Sequence, residues 1–130
     1  MWYTRSMDKL VTKWFSKWSR KAGLTNSAIL ESLDDLEKGL SIADLGKNLF
    51  KVRVKREGQG KSSGYRTIVV FRKDRIAIFL YGFAKNERGN ISNKELSYFQ
   101  KLGSDFLKLN SSQLKKAIKK EVLFDLEERK

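Results

Sequence analysis

A chain of 130 residues can build one ordinary hydrophobic core and not two, so a single domain over 1–130 is expected, with 111–130 as a C-terminal extension. It contains no cysteine and no histidine, which excludes disulfides and zinc sites built on those residues, and any metal would have to be held by carboxylates alone. Lys and Arg number 28 against 15 Asp and Glu, a formal net charge of +13 that attracts polyanions.

The N-terminal "MWYTRSMDKL" lacks the apolar run of a signal peptide, and the longest apolar stretch, 76–83, is far below the roughly 18 residues of a membrane span. A soluble, cytoplasmic protein is expected. Leu10, Val11, Trp14, Phe15 and Trp18 recur at three- and four-residue intervals, predicting a helix over 8–22 with Lys9, Lys13, Lys17, Arg20 and Lys21 on its other face. Its three large aromatics also fit a helix lying on a membrane surface, although core packing of the same rings is the preferred reading. Gly23 ends this helix. A second begins at Thr25 or Asn26, carries Ile29, Leu33 and Leu36 inward and Glu31, Asp34, Asp35 and Glu37 outward, and closes at Gly39 in the left-handed conformation. The basic and acidic helices form a hairpin whose apolar faces cover a sheet.

Residues 50–55 alternate strictly, so Phe50, Val52 and Val54 point to the core while Lys51, Arg53 and Lys55 project together from the opposite face. The next stretch, "KREGQGKSSGYR", contains the Gly-Lys-Ser core of a phosphate loop. Its outer glycine position is Lys55, however, and the β-branched and aromatic run 65–71 that follows is a strand where the motif needs a helix. It is therefore a loop between two strands. Residues 72–75 turn the chain into 76–83, which is apolar on both faces and belongs at the centre of the sheet. A short fourth strand fits 2–5.

Ser92 and Glu95 have capping-box spacing, and Ile91 with Leu96 fits the accompanying hydrophobic staple, so a helix starts there and continues through Phe99, Leu102 and Phe106. Asn110 and Ser111 break it. A short helix over 112–120 follows, and 121–126 fits either a terminal strand or continued helix. The predicted class is α+β: two N-terminal helices packed on a small, mainly antiparallel sheet of three to four or more strands, with a C-terminal helix or helices.

Eleven cations lie between Lys51 and Arg88, against Glu57, Asp74 and Glu87. Like charges side by side on one strand repel unless an anion sits over them, which points to a phosphate-binding face. Lys55, Arg56, Lys61, Tyr65 and Tyr81 are the candidate RNA-binding residues, the tyrosines because aromatic rings stack on unpaired bases. Phe83 is assigned to the core; Tyr65 fits either role.

The segment "LFKVRVKREGQGKSSGYRTIVVFRKDRIAIFLYGFAKNERGNISNKELSYF" resembles the RelE/HigB-like toxins of bacterial type II toxin–antitoxin systems, through Lys-x-Arg, the glycine-rich loop, Gly-Tyr-Arg-Thr-Ile and Tyr-Gly-Phe-Ala-Lys-x-Glu-Arg in that order. The likeness covers about residues 2 to 110. It implies a RelE-like microbial RNase fold and a metal-independent endoribonuclease, an mRNA interferase that inhibits translation by cutting messenger RNA on the ribosome. It further implies a cognate antitoxin, expected to carry a helix-turn-helix domain, and no cofactor. Carried over by position, the implied catalytic set is Lys51, Arg53, Arg66, Lys85 and Arg88. Asn86 stands where relatives often have arginine, and Ser92 where some have a tyrosine, leaving Tyr65 or Tyr81 as substitutes.

RNA cleavage without histidine needs a base for the ribose 2′-hydroxyl, charge neutralisation at phosphorus and an acid for the leaving oxygen. A lysine among cations such as Arg53 and Lys55 gives up its proton more readily, making Lys51 the candidate base. The Arg66 fork suits two phosphate oxygens, and Lys85 or Arg88 suits the leaving group or substrate binding. The alternative is a non-catalytic basic module that binds RNA or DNA through the same face.

Overall fold

The computed structural model describes residues 7–55 and 64–129. In chain order these form β1 (Asp8–Thr12), α1 (Lys13–Ala22), α2 (Asn26–Glu37), β2 (Ala43–Gly46), β3 (Leu49–Val54), β4 (Tyr65–Arg72), β5 (Ile76–Ala84), α3 (Asn93–Leu107), α4 (Ser111–Lys119) and β6 (Leu123–Asp125). The strands make one mixed sheet in the order β2-β3-β4-β5-β1-β6, in which β1 runs parallel to β5 and the other pairs are antiparallel. The α+β class is as expected, and the sheet has six strands among the described residues.

The helix expected over 8–22 begins only at Lys13. Leu10 and Val11 are adjacent and both buried, but they serve opposite sides of the sheet: Leu10 packs with Ile78 and Phe99, Val11 with Phe15 and Phe79. That alternation is a strand's, and pairing with β5 from Asp8↔Ile76 to Val11↔Phe79 overrides the helical spacing of the apolar residues. Thr12 then caps α1, its Oγ1 accepting the Phe15 N–H at 3.1 Å. The fourth strand expected at 2–5 lies outside the described residues.

α1 and α2 cover one face of the sheet with Phe15, Ile29, Leu33 and Leu36 packed on Val52, Val69 and Phe79. Gly23, at φ 78°, closes α1, and Thr25 caps α2. On the other face α3 and α4 bring Phe99, Leu102, Leu114 and Ile118 onto Leu49, Ile68, Val70 and Ile78. α3 starts with the capping box of Ser92 and Glu95, and α4 with another made by Asn110 and Gln113. The open choice at 121–126 resolves as a strand over Leu123–Asp125, β6, which pairs with β1; Leu123 within it and Leu126 just beyond it are completely buried. Beyond it Arg129 donates to the Ser16 hydroxyl at 3.0 Å and Asn26 Oδ1 at 2.8 Å, tying the end of the chain to α1 and α2.

β2 has no counterpart among the elements expected from the sequence, since four half-polar residues carry little strand signal. It joins β3 through Lys47 and Asn48, both at positive φ (54° and 66°), the two-residue geometry that matches strand twist in a tight hairpin.

Candidate functional site

The register of the central strands decides which cations meet. Arg53 pairs with Arg66, which pairs with Phe83; one step along, Lys51 pairs with Ile68, which pairs with Tyr81. A register shift between Ile68 and Val69 places Tyr81 on the same face as Ile68, where it packs against the cluster under α3. Lys51, Arg53, Arg66, Tyr81 and Phe83 therefore share the α3 side of the sheet, at the end where β3 and β4 enter the 55–64 connection. α3 covers the rest of this face, and Gly103 approaches β4 so closely that a Cβ there would lie 3.0 Å from Val70 Cγ2.

Arg66 is only 6% exposed, and its Nη1 is buried without a hydrogen-bond partner among the described residues. Burial, and then the charge of Arg53, push its pKa below that of a free arginine, though a guanidinium remains charged at neutral pH. A desolvated cation with a spare donor beside a second arginine has the chemistry that suits an anion. Arg53 itself is exposed. Lys51 Nζ donates to Asn90 Oδ1 at 3.3 Å, which draws the loop before α3 to the edge of the site.

Arg88 is more committed than its motif suggested. Its Nη1 and Nη2 donate to Glu95 at 3.1 and 2.6 Å, its Nη1 also to the Tyr81 phenol oxygen at 3.1 Å, and its Nε to the Asn90 carbonyl at 3.0 Å. The guanidinium carbon lies 5.5 Å from the Phe83 ring centre. The Glu95 bonds raise the Arg88 pKa further, while Arg88, followed by the Ser92 backbone, holds the Glu95 carboxyl at about 2. Arg88 thus ties β5 to the first turn of α3 and fixes Tyr81.

The remaining candidates divide. Lys85 follows β5 directly, exposed, with its N–H bonded to the Gly64 carbonyl at 3.3 Å. Lys55 does not join Lys51 and Arg53 as the alternation predicted: the strand ends at Val54, and Lys55 Nζ lies 3.7 Å from Glu31 of α2, the helix on the other face. Tyr65 is corrected to a core residue. It is 5% exposed on the α1 side, edge-on to Trp18, with its hydroxyl donating to the Ala22 carbonyl at 3.0 Å, so its ring offers no face to a base. Arg56 and Lys61 lie outside the described residues. Arg72 ends β4, about 20 Å along the strand from Arg66 at strand rise, and Lys73 and Arg75 lie in the turn that follows, so the excess of charge is split between two ends of the sheet.

Glu95 as the partner of Arg88, Asn90 as the partner of Lys51, and Trp14 and Phe99 as neighbours of Tyr81 went unseen in the sequence. Only Glu95 had a visible signal, and its capping box explained it fully.

Among the described residues no group of three or more Asp or Glu is placed to hold a metal ion, and no helix is long and apolar enough to cross a membrane. Residues 7–126 match the family model described as RelE toxin of RelE / RelB toxin-antitoxin system. No curated protein matches the chain.

Proposed function

The chain belongs to the RelE toxin family of toxin–antitoxin systems, a membership that implies an antitoxin partner, and on that premise we propose that it is a metal-independent endoribonuclease that cuts messenger RNA on the ribosome. The observation that carries this reading is Arg66: nearly buried, its Nη1 without a partner among the described residues, and directly across the ladder from Arg53.

In the proposed reaction a scissile phosphate enters between Arg53 and Arg66, whose guanidiniums neutralise the charge that grows on the phosphorane. Lys51, held at the edge by Asn90, takes the 2′-hydroxyl proton as the oxygen attacks phosphorus. The bond to the 5′-oxygen breaks and the leaving oxygen collects a proton. Tyr81 is the tyrosine on Arg66's face, and its phenol oxygen accepts from Arg88, which leaves its own proton free to donate and stabilises the phenolate that results. Tyr81 is thus the proposed acid, substituting for the tyrosine that some relatives have at the position of Ser92. Lys85 holds the neighbouring phosphate.

The antitoxin is proposed to be a helix-turn-helix protein whose acidic segment covers or distorts the surface of Lys51, Arg53 and Arg66 and so keeps RNA from it. The locked state of Arg88 favours a second reading, a basic module that binds RNA or DNA without cutting it. Mapping transcript ends in a translating extract separates them. New 3′ ends that persist in chelator and vanish with Arg66→Ala support cleavage; salt-sensitive binding with intact transcripts supports the module.

A further inference from the structure

Tyr81 cannot itself receive a base. Its ring is stacked on Trp14 at 4.6 Å between centres and 27° between planes, and on Phe99 at 5.1 Å and 30°. The exposed member of this stack is Trp14, 47% exposed in the first turn of α1. Its position follows from the topology. β1 stops at Thr12 while β5 runs on to Ala84, so α1 takes β1's place beside the far half of β5, at the same end of the sheet as Arg66.

We propose that Trp14 is a stacking shelf for an unpaired base of the RNA whose phosphate sits at Arg53 and Arg66, an inference that rests on the RNA-binding reading above. Three features fit a base rather than a protein side chain. The indole is held by Tyr81 and by Trp18, nearly parallel to it at 6.0 Å and 12°, so little conformational freedom is lost on stacking. Exposed Lys13 and Lys17 flank it on α1, available to adjoining phosphates. It is also continuous with the cation row through Tyr81 and Phe83, whose rings are 6.2 Å apart, with Phe83 paired to Arg66. A few nucleotides of single strand cover that path. A planar indole accepts any base, so the shelf sets affinity and register rather than sequence.

The test is binding of a cleavage-resistant 2′-O-methyl oligoribonucleotide to the full chain at fixed salt, followed by tryptophan emission. Trp14→Ala is expected to weaken binding roughly tenfold, in the range found for loss of one stacked base. Trp14→Phe retains affinity but loses much of the emission quenching, and one abasic position in the oligonucleotide reproduces the loss with the wild-type protein, whatever the folding of the variants. Weakening by Arg66→Ala, with no effect of Trp14→Ala or of any abasic position, overturns the shelf and leaves the phosphate site standing. Absence of oligonucleotide binding by the wild-type chain removes both.

Discussion

Arg53 and Arg66 face each other across the β3–β4 ladder, two like charges at directly opposed positions of which one is almost wholly buried. Neither opposed like charges nor a buried donor without a partner helps the fold. Replacing Arg66 with methionine, of similar length and apolar, is therefore expected to leave stability unchanged or raise it by up to about 2 kcal/mol while eliminating cleavage. Thermal unfolding with and without inorganic phosphate checks this: phosphate should raise the midpoint of the wild type more than that of Arg66→Met. A variant that unfolds many degrees lower would make Arg66 a structural residue.

Glu95 gives the fold a pH dependence of known sign. Its carboxyl titrates at about 2 in the folded chain against an ordinary 4.5, chiefly because Arg88 donates to it. A carboxyl depressed on folding stabilises the native state fully above pH 4.5, and that contribution fades as pH falls toward 2. Glu95→Gln should be the less stable protein at pH 7, with the gap narrowing below 4.5 and closing near 2. Urea midpoints for both proteins across that range are the measurement; a constant gap would mean that the capping geometry, and not the charge, is what Glu95 supplies.

The legible parts of the fold were those where local signals agreed with tertiary pairing. Ser92 and Glu95, Thr25, Gly23 and the alternation of β3 each state a backbone geometry that the sheet also demands. β1 was hidden because Leu10, Val11, Trp14, Phe15 and Trp18 satisfy a helical spacing across a strand–helix junction, and a parallel partner more than sixty residues away leaves no local mark. Much the same holds at the site. Strict alternation put Lys51 and Arg53 on one face, but the hydrogen bonds that turn Arg88 into a clamp depend on how the 85–92 loop folds back on α3, and the stacking of Trp14 on Tyr81 depends on where β1 stops. Pattern reads faces; it does not read which side chains are spent on one another.

Tyr81→Phe separates the chemistry of Tyr81 from its packing. The ring that lies between Trp14 and Phe99 is retained, and Arg88 keeps both Glu95 oxygens, so the unfolding midpoint should move by no more than a few degrees. The phenol proton is lost. If it protonates the leaving oxygen, cleavage falls by about 10²–10⁴-fold, the usual worth of a general acid, while oligonucleotide binding is preserved. A substrate with a 5′-sulfur leaving group, which needs no protonation, should restore cleavage by the variant. Wild-type rates from Tyr81→Phe on the ordinary substrate would return the acid to Lys85.

Gly82 lies between Tyr81 and Phe83 and faces the opposite side of the sheet, where Trp18 rests on the bare backbone. A Cβ at this position would lie 2.3 Å from Trp18 Cζ3 and 2.5 Å from Cη2, far inside contact distance. The indole is rigid and is held by Phe15 and Tyr65 as well, so it cannot yield locally. Gly82→Ala is expected to cost about 1–3 kcal/mol, the range for overpacking a filled core, and to lower the unfolding midpoint accordingly. Because Trp18 also stacks with Trp14, the displaced ring should disturb the shelf, so that the variant binds the oligonucleotide more weakly although it alters no group proposed to touch RNA. Trp18→Phe in the Gly82→Ala background, which shortens the ring that meets the new methyl, should recover part of the lost stability. If the double variant is as unstable as the sum of the two single ones, the clash between residues 82 and 18 is not the source of the loss.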